Sequence, residues 1–394
     1  MSTRRDVNSD ATIFSAIVLG TVGVLSFIVQ PGLVQGFVVE LGLSEAAAND
    51  LAFAEMLGVA AATYIAALVC RFVDWRAIVA VALMLAALGN LASAALAQPD
   101  LFRLARFVTG LGEGGIISLS FAVIGLTAKT ERNLALYLVL LLTYGAVGLW
   151  IMPRAFAAVG LGGIFLFWSG VTLVSLATVR FLPAGAHSRT AGRPTAVTLH
   201  ARWWGLALFG VLLYNTAIGI AWANLFLIGM EIRPDAQAVA NALLLAQFVA
   251  IAGALVSVFM EARLGRWLPI IVGVFGGAAF IAALLANPSY RMFALAVSGF
   301  NFLWNMVLPF ILSAVSDMDE TGTMMSRAIA MQMTGLGFGP FFAARILDAG
   351  GGFAAVEWAT IVLLAAGFFA LVLPMLAHRR ALQLAAKQGG SNAA

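Results

Sequence analysis

The stretch RFVTGLGEGG at residues 106–115 places an arginine and a glutamate inside a long apolar segment. On a helix, a separation of seven residues puts Arg106 and Glu113 on nearly the same face. A charge at the centre of a membrane helix costs about 2.5–3.5 kcal/mol on insertion scales. The two residues are therefore predicted either to face a watered cavity or to form an ion pair that fixes helix packing.

The composition indicates a membrane protein. Hydrophobic residues make up 62% of the 394 residues, and charged residues make up 10%. A soluble domain of this size cannot hide so much apolar surface. The apolar runs are long enough to cross a hydrocarbon core of about 30 Å. Because a spanning segment must satisfy its own backbone hydrogen bonds, these runs predict an all-α membrane protein.

The apolar runs predict twelve transmembrane helices, separated by breaker signals such as DAGGG (348–352). One long polar segment follows the sixth run and divides the chain into two six-helix bundles. The predicted spans lie near 12–38, 46–70, 77–97, 101–127, 133–158, 161–182, 203–229, 236–260, 268–286, 290–315, 323–348 and 353–376. The predicted domains are a cytoplasmic N-terminus (1–11), an N-terminal bundle (12–182), a cytoplasmic linker (183–202), a C-terminal bundle (203–376) and a cytoplasmic tail (377–394).

The distribution of basic residues predicts the orientation. With both termini inside, sixteen lysine and arginine residues fall on inner segments and five on outer ends. This is the positive-inside bias, so we expect a multi-pass protein of the cell inner membrane with both termini in the cytoplasm. The polar segments are too short for a basic, aromatic-rich surface, so no nucleic-acid partner is expected. A single cysteine, Cys70, excludes an intrachain disulfide and a cysteine-based metal cluster.

A weak internal repeat relates the two halves of the sequence. The segment LFRLARFVTG (101–110) resembles SYRMFALAVSG (289–299), with an aromatic residue, an arginine and a final glycine. The loop CRFVDWR (70–76) has a counterpart in MEARLGRW (260–267). Together these matches indicate two related six-helix halves, as in transporters built from repeated bundles.

These features resemble the major facilitator superfamily, whose fourth helix reads R-F-x-x-G-x-G-x-G. Glu113 within this pattern is similar to organic-anion and sphingolipid-type branches of the family, which often read G-x-G-E. Helix 5, TYGAVGLWIMPR (143–154), lacks the Gly-Pro pair usual in drug–proton antiporters. In the fourth helix, Gly110 and Gly114 also form a small-xxx-small pair that lets another helix approach closely. The residues of this sequence that match the pattern R-F-x-x-G-x-G-x-G of the fourth helix are Arg106, Phe107, Gly110, Gly112 and Gly114.

The resemblance also implies a cytoplasmic gate. The family's loop between helices 2 and 3 reads G-x-x-x-D-R-x-G-R-R, and here CRFVDWRAIV (70–79) keeps the aspartate and an arginine close by. The glycines and the trailing basic pair of that loop are missing. The corresponding loop of the second half keeps an acid and two arginines. The predicted gate residues are Asp74, Arg76, Glu261, Arg263 and Arg266.

Two glutamates inside apolar runs are candidates for proton coupling. Glu113 lies near the middle of the fourth span, and Glu55 lies about ten residues into the second. The alternative for Glu55 is pairing with an arginine from the outer side. The three histidines fall in predicted cytoplasmic segments, so carboxylates would have to carry any protons within the membrane.

Polar and aromatic residues in the spans predict a substrate site. Asn301 and Asn305 share a helix face beside Trp304, and Pro31 predicts a kink in the first span. Buried amides beside aromatic rings suit a planar or amphipathic solute, whereas the alternative is hydrogen bonding between packed helices. The family resemblance implies that helices 1, 4, 7 and 10 line the cavity. The predicted substrate-binding residues are Arg106, Glu113, Gln35, Tyr144, Asn215, Trp222, Asn301, Trp304, Asn305 and Gln332.

The sequence therefore predicts a secondary active transporter that moves a small organic anion, or an amphipathic or aromatic compound, by alternating access coupled to protons. Efflux of apolar compounds by proton antiport is the alternative within this class. A polytopic membrane enzyme is the alternative from another class, although no H-E-x-x-H or P-loop is present. The expected partners are a small-molecule substrate, protons and the lipid bilayer. We expect a monomer without cofactors or metals.

Overall fold

A computed structural model of the chain describes residues 6–96, 98–185, 199–286, 288–318 and 323–391. All regular secondary structure within these ranges is helical. The helices are numbered here by the spans that they form. They are Asp10–Val22 with Gln30–Leu41 (span 1), Glu45–Val69 (span 2), Trp75–Ala95 (span 3), Pro99–Leu126 (span 4), Thr130–Val179 (spans 5 and 6), Ala201–Ile232 (span 7), Ala236–Leu264 (span 8), Trp267–Ala282 (span 9), Tyr290–Ser316 (span 10), Thr323–Asp348 (span 11) and Gly352–Ser391 (span 12).

Eight helices of the described chain are long and apolar enough to cross a membrane individually. The longest of them contains two spans, the two helices of span 1 pass the same test as a bent pair, and spans 9 and 11 complete the set. The predicted all-α membrane fold with twelve spans is thereby confirmed. Because twelve is an even number, both chain termini lie at one end of the molecule. We call this the termini end, and the opposite end the distal end.

Spans 5 and 6 are joined without a loop. The helical element Thr130–Val179 contains one residue with non-helical backbone angles, Gly160, at φ 64° and ψ 179°. Only glycine adopts this conformation without a steric penalty, so it allows the chain to reverse direction at that point. The position of Gly160 agrees with the predicted boundary between residues 158 and 161.

Span 1 is broken near its middle. Its two helices meet at an angle of 48°, and the turn between them includes a short 3₁₀ segment, Phe27–Val29. The break precedes the proline from which a kink was predicted. Pro31 lies in the first turn of the second helix, where the missing N–H has no helical partner to lose.

The two halves repeat the same packing. In the first half, span 4 packs against spans 2 and 3, while span 1 and span 3 pack against the element of spans 5 and 6. In the second half, span 10 packs against spans 8 and 9, span 7 against spans 11 and 12, and span 9 against span 12. Each contact of one half therefore has its counterpart six spans later, which is the arrangement expected of two pseudo-symmetric bundles.

The halves meet along three pairs of spans. Span 2 packs against span 11, span 5 against span 8, and the second helix of span 1 against span 7. Phe53 of span 2 stacks on Phe338 of span 11 and packs at a tilt against Phe341, with ring centroids 6.0 and 5.0 Å apart. These contacts lie in the distal part of spans 2 and 11, so the halves are joined most closely toward the distal end.

Glycines bring spans 2 and 4 into backbone contact. A Cβ atom at Gly110 would overlap the backbone oxygen of Glu55, and one at Gly114 would overlap that of Val59. Gly58 of span 2 meets the backbone of Phe107 in the same way. The small-xxx-small pair predicted from the sequence thus packs against span 2, and this close approach places Glu55 beside span 4.

The predicted C-terminal tail begins within a helix, and most of the predicted linker lies outside the described residues. The predicted tail at residues 377–394 begins inside span 12, because that helix continues to Ser391. Of the predicted linker at 183–202, residues 186–198 lie outside the described part of the chain. The division into domains therefore remains a prediction.

We predict that Gly110→Ala lowers the thermal unfolding temperature of the purified protein, because its new methyl group would press on the backbone of span 2. Overpacking of this kind costs about 1–3 kcal/mol. Gly125→Ala is the matched control, since a Cβ at Gly125 in the same helix has open space around it. Equal unfolding temperatures for the two variants would contradict the packing described here.

Candidate functional site

A fully buried ion pair joins spans 2 and 4. The guanidinium of Arg106 donates through Nη2 to Oε1 of Glu55, and the two side chains are 0% and 3% exposed. Nη1 of Arg106 also donates to Oδ1 of Asn90 at 3.0 Å and to Oγ of Ser93 at 3.3 Å, both in span 3. The guanidinium lies over the ring of Phe165 in span 6, at 4.7 Å from the centroid.

The contacts of Arg106 all belong to the first half of the chain. They come from spans 2, 3 and 6, and span 2 is also the span of this set that packs against the second half. The partner of Arg106 is Glu55 and not Glu113, the residue on the same helix face. This geometry matches the pairing alternative considered for Glu55, and it leaves Arg106 engaged on most sides.

Glu113 has a different partner. Its two carboxyl oxygens lie 2.9 and 2.8 Å from Oγ of Ser26, in the break of span 1. The side chain is 3% exposed. No salt bridge to Glu113 forms among the described residues, because the nearest arginine pairs with Glu55. Glu113 is thus a buried carboxyl group whose hydrogen-bond partners are the hydroxyl and the backbone N–H of Ser26.

The break of span 1 makes further bonds with neighbouring spans. The hydroxyl of Tyr144 in span 5 donates to the carbonyl oxygen of Leu25 at 3.1 Å, and it accepts from Nε1 of Trp168 at 3.0 Å. Nε1 of Trp222 in span 7 donates to the carbonyl oxygen of Phe27 at 3.0 Å. The predicted substrate residues Tyr144 and Trp222 therefore both contact the broken segment of span 1.

Polar contacts close the distal end between the halves. The side-chain amides of Asn49 in span 2 and Asn224 in span 7 donate to each other, at 2.9 and 3.2 Å. Near the ends of spans 2 and 11, Asp50 pairs with Arg345. Nε2 of Gln237 in span 8 donates to the carbonyl oxygen of Trp150 in span 5 at 3.2 Å.

A cavity of about 770 Å³ opens toward the termini end. It lies between spans 2 and 4 of the first half and spans 7 and 11 of the second half. Among the described residues that line it, Arg327 bears the one charge, and the others include Cys70, Tyr64, Phe121 and several methionines of span 11. The hydroxyls of Tyr64 and Thr334 form a hydrogen bond of 3.2 Å at the contact of spans 2 and 11.

Besides Nε of Arg106, four predicted or neighbouring polar residues keep a buried atom without a hydrogen-bond partner. These atoms are Oε1 of Gln30, Oδ1 of Asn215, Oδ1 of Asn301 and Nε1 of Trp304. They come from spans 1, 7 and 10. The rings of Trp304 and Trp222 lie 5.8 Å apart, so spans 7 and 10 meet beside the break of span 1. Three of the four atoms are acceptors, which would suit a solute that offers N–H or O–H donors.

The remaining predicted substrate residues make fewer contacts. Nδ2 of Asn305 donates to the carbonyl oxygen of Asn301 within span 10, at 3.0 Å. Gln332 of span 11 is buried, and Gln35 of span 1 is half-buried.

The predicted gate residues bond within their own halves. Asp74 caps the helix of span 3 by accepting from the backbone N–H of Arg76 at 2.8 Å, and Nε of Arg76 donates to the carbonyl oxygen of Leu182 at 2.7 Å. Arg266 pairs with Asp317, which joins spans 9 and 10. The side chains of Glu261 and Arg263 lie outside the described residues. The described gate contacts thus lie within one half each.

Sequence analysis missed Ser26, Asn90 and Phe165, which touch the two predicted glutamates or the arginine. Ser26 lies between Gly23 and Pro31, two helix-breaking residues eight positions apart in the sequence. That pair was a signal for a break in span 1, whereas nothing in the sequence pointed to the other two.

The fold is similar to that of a known transporter. The crystal structure of a D-xylose-proton symporter matches with a TM-score of 0.73 and 14% sequence identity, over 92% of this chain and 96% of that chain. No protein-family model matches the chain, and no curated protein matches it in sequence. At this identity the likeness establishes the fold, which is the major facilitator fold of a multi-pass membrane protein.

We predict that Arg106→Met strongly lowers the thermal unfolding temperature, because the variant leaves the carboxylate of Glu55 buried without its partner. Removing one member of a buried pair costs about 3–5 kcal/mol. The double variant Arg106→Met with Glu55→Met removes both charges and should recover much of the loss. Unfolding temperatures that fall additively in the double variant would show that the two side chains do not stabilise each other.

Proposed function

We propose that this protein is a secondary active transporter that moves a small amphipathic organic solute across the membrane, coupled to protons, by alternating access between its two halves. The observation behind the proposal is a cavity between the halves that opens at the termini end and is closed by polar contacts at the distal end. A site reached from one side at a time is what alternating access requires. A membrane enzyme would need a group of reacting side chains around the cavity, and the described lining offers one arginine and no carboxylate.

The carboxyl group proposed to bind the coupling proton is that of Glu113. An ionised carboxylate buried without a cation is expensive, whereas the protonated form is neutral and can both donate and accept a hydrogen bond. Glu113 adjoins Ile117 and Ser118 on span 4, and those two residues line the cavity one turn further toward the termini end. This proximity supports proton exchange between Glu113 and the open cavity.

Glu55 has a structural role in this proposal. Its carboxylate is held by the guanidinium of Arg106, which compensates its charge within the first half. The same contact makes Arg106 a poor binding group for an anionic substrate, since an anion would have to displace Glu55. The described wall of the cavity is apolar apart from Arg327 and a few hydroxyl groups, so an amphipathic solute fits it better than a small organic anion.

The substrate is proposed to pass from the cavity to the polar atoms of spans 1, 7 and 10. The cavity offers apolar and aromatic surface, and Gln30, Asn215 and Asn301 offer acceptors deeper in the molecule. A solute with an apolar frame and N–H or O–H groups would satisfy both. The indole N–H of Trp304 would donate to an acceptor on the same solute.

Efflux of apolar compounds by proton antiport is a second candidate. It is favoured by the methionines in the cavity wall, Met325, Met331 and Met333, because flexible thioether side chains adapt to varied ligands. Transport in inverted membrane vesicles, with and without an imposed pH gradient, separates uptake from efflux by its direction relative to the proton gradient.

The proposed location is the inner membrane, with the termini end facing the cytoplasm. The basic residues of the sequence support it, since most of them belong to segments at that end. The protein is proposed to act as a monomer, because one chain supplies both halves of the cavity.

We predict that purified protein in liposomes acidifies or alkalinises the lumen only when a transported solute is added, as read by a trapped pH-sensitive dye. The panel should contain amphipathic amines and alcohols, aromatic acids and small organic acids. The account favours a response to the amphipathic amines and alcohols. A response confined to small organic acids would restore the organic-anion alternative.

With the responding solute in hand, Glu113→Gln should abolish accumulation driven by a pH gradient and retain exchange of internal for external solute. The matched control is Glu357→Gln, a buried glutamate of span 12 that does not line the cavity. Proton-driven accumulation by Glu113→Gln at the wild-type level would refute the assigned role of Glu113.

A further inference from the structure

Four consecutive residues in the break of span 1 each bond to a different span. The carbonyl oxygen of Leu25 accepts from Tyr144, and the hydroxyl of Ser26 contacts Glu113. The carbonyl oxygens of Phe27 and Ile28 accept from side chains of spans 7 and 8. Spans 4 and 5 belong to the first half and spans 7 and 8 to the second. The break is therefore a junction between the two halves.

We infer that this break transmits the state of Glu113 to the closure between the halves, with Ser26 as the positioning residue. The inference rests on the proposed function, because it assumes that Glu113 exchanges a proton during transport. It adds a second residue, Ser26, and a route from the proton to the contact between the halves.

The first step of the route is the contact between Ser26 and Glu113. A hydroxyl group has one hydrogen, so Ser26 can donate fully to one of the two carboxyl oxygens. A proton on the other oxygen donates back to Oγ of Ser26, which accounts for two short distances to one hydroxyl. Without that proton, the two carboxyl oxygens share the one hydroxyl hydrogen and the backbone N–H of Ser26, so the contact with the break changes its geometry.

Other groups around Glu113 are held in place. Glu55 of span 2 and Arg106 of span 4 act on Glu113 electrostatically, but they are bonded to each other. Tyr144 of span 5 acts on Glu113 as well, and its hydroxyl is bonded to Leu25 and Trp168. The Ser26 side chain is thus the direct contact of Glu113 that lies on a segment without continuous helix.

The second step is the link from Ser26 to the other half. The carbonyl groups that follow it, of Phe27 and Ile28, accept from Nε1 of Trp222 at 3.0 Å and from Nε2 of Gln247 at 3.5 Å. A backbone change at Ser26 turns these two carbonyls and weakens both bonds. Loss of the proton would then favour separation of the halves at the distal end and narrowing of the cavity at the termini end.

The native thiol of Cys70 reports this change, because it lines the cavity at the termini end and is the one cysteine in the sequence. Its rate of alkylation by a fluorescent maleimide is measured from pH 6 to 8 in detergent, without any substrate. At each pH, the alkylation rate of each protein is divided by the rate of the same protein carrying Glu113→Gln. That substitution mimics the protonated carboxyl group. This ratio cancels the pH dependence of the thiol itself.

The ratio for the wild-type protein should fall as the pH rises, by roughly fivefold to tenfold if two hydrogen bonds between helices are lost. The ratio for Ser26→Ala should fall much less than the wild-type ratio, because the hydroxyl contact is lost and only the backbone N–H of residue 26 still bonds to the carboxyl group. Ser26→Thr keeps the hydroxyl and should restore the fall. Trp222→Phe should lower labelling at every pH while it keeps the response to pH.

Each result has one meaning. If the wild-type ratio falls and the ratio for Ser26→Ala falls equally, the role of Ser26 is refuted and the proposed function stands. If the wild-type ratio is flat, Glu113 does not control the closure, and the proton coupling in the proposed function fails with it. If Ser26→Ala does not fold, the other two variants carry the test. Ratios for Ser26→Thr and Trp222→Phe that do not change with pH would then refute the inference.

Discussion

The break in span 1 imposes the constraint on which the arrangement of the molecule depends. A helix that crosses a membrane satisfies its backbone groups internally, so an interruption at mid-depth leaves carbonyl oxygens that water cannot reach. Here the carbonyls of Leu25, Phe27 and Ile28 accept from side chains of three other spans. The cost of breaking the helix is offset only while those spans stay in place. The position of span 1 is thereby tied to the relative position of the two halves.

Glu55 and Glu113, the two glutamates buried in the described part of the first half, have different partners. Glu55 is compensated by Arg106, which also binds span 3 and lies on an aromatic ring of span 6, so this cluster joins four spans into one rigid unit. Glu113 has no such compensation and contacts a hydroxyl on the broken segment. The charge of Glu55 is thus paired inside its own bundle, whereas the carboxyl group of Glu113 is bonded to no cation among the described residues.

Much of the fold was predictable from the sequence. Twelve apolar runs, a charge bias and the glycines of RFVTGLGEGG follow local patterns, and each has a direct physical reading as a span, an end or a close helix contact. The partner of Arg106 was not predictable in this way. Helical spacing aligned it with Glu113, but the approach of span 2 at Gly110 brings Glu55 nearer. Such choices depend on which spans are neighbours, and spacing within one span does not contain that information.

The break itself was only partly predictable. Pro31 indicated a disturbance in span 1, but the residue tolerates its place in the first turn of a helix, and the interruption falls before it. Which carbonyls are freed, and which side chains reach them, depends on the packing of both halves. The candidate site is therefore a property of the assembled bundle more than of any motif: Gly23 and Pro31 mark the region of the break, but they do not indicate that Ser26 contacts Glu113.

The central claim is that protonation of Glu113 decides which end of the molecule is closed. The most direct measurement is the distance between spin labels at Arg103 and Arg291, exposed residues near the distal ends of spans 4 and 10, in a protein with Cys70→Ser. The account predicts a short distance at low pH, a longer one at high pH, and a short one at every pH when Glu113→Gln is added. A distribution that does not change with pH, or that changes equally in Glu113→Gln, would contradict it.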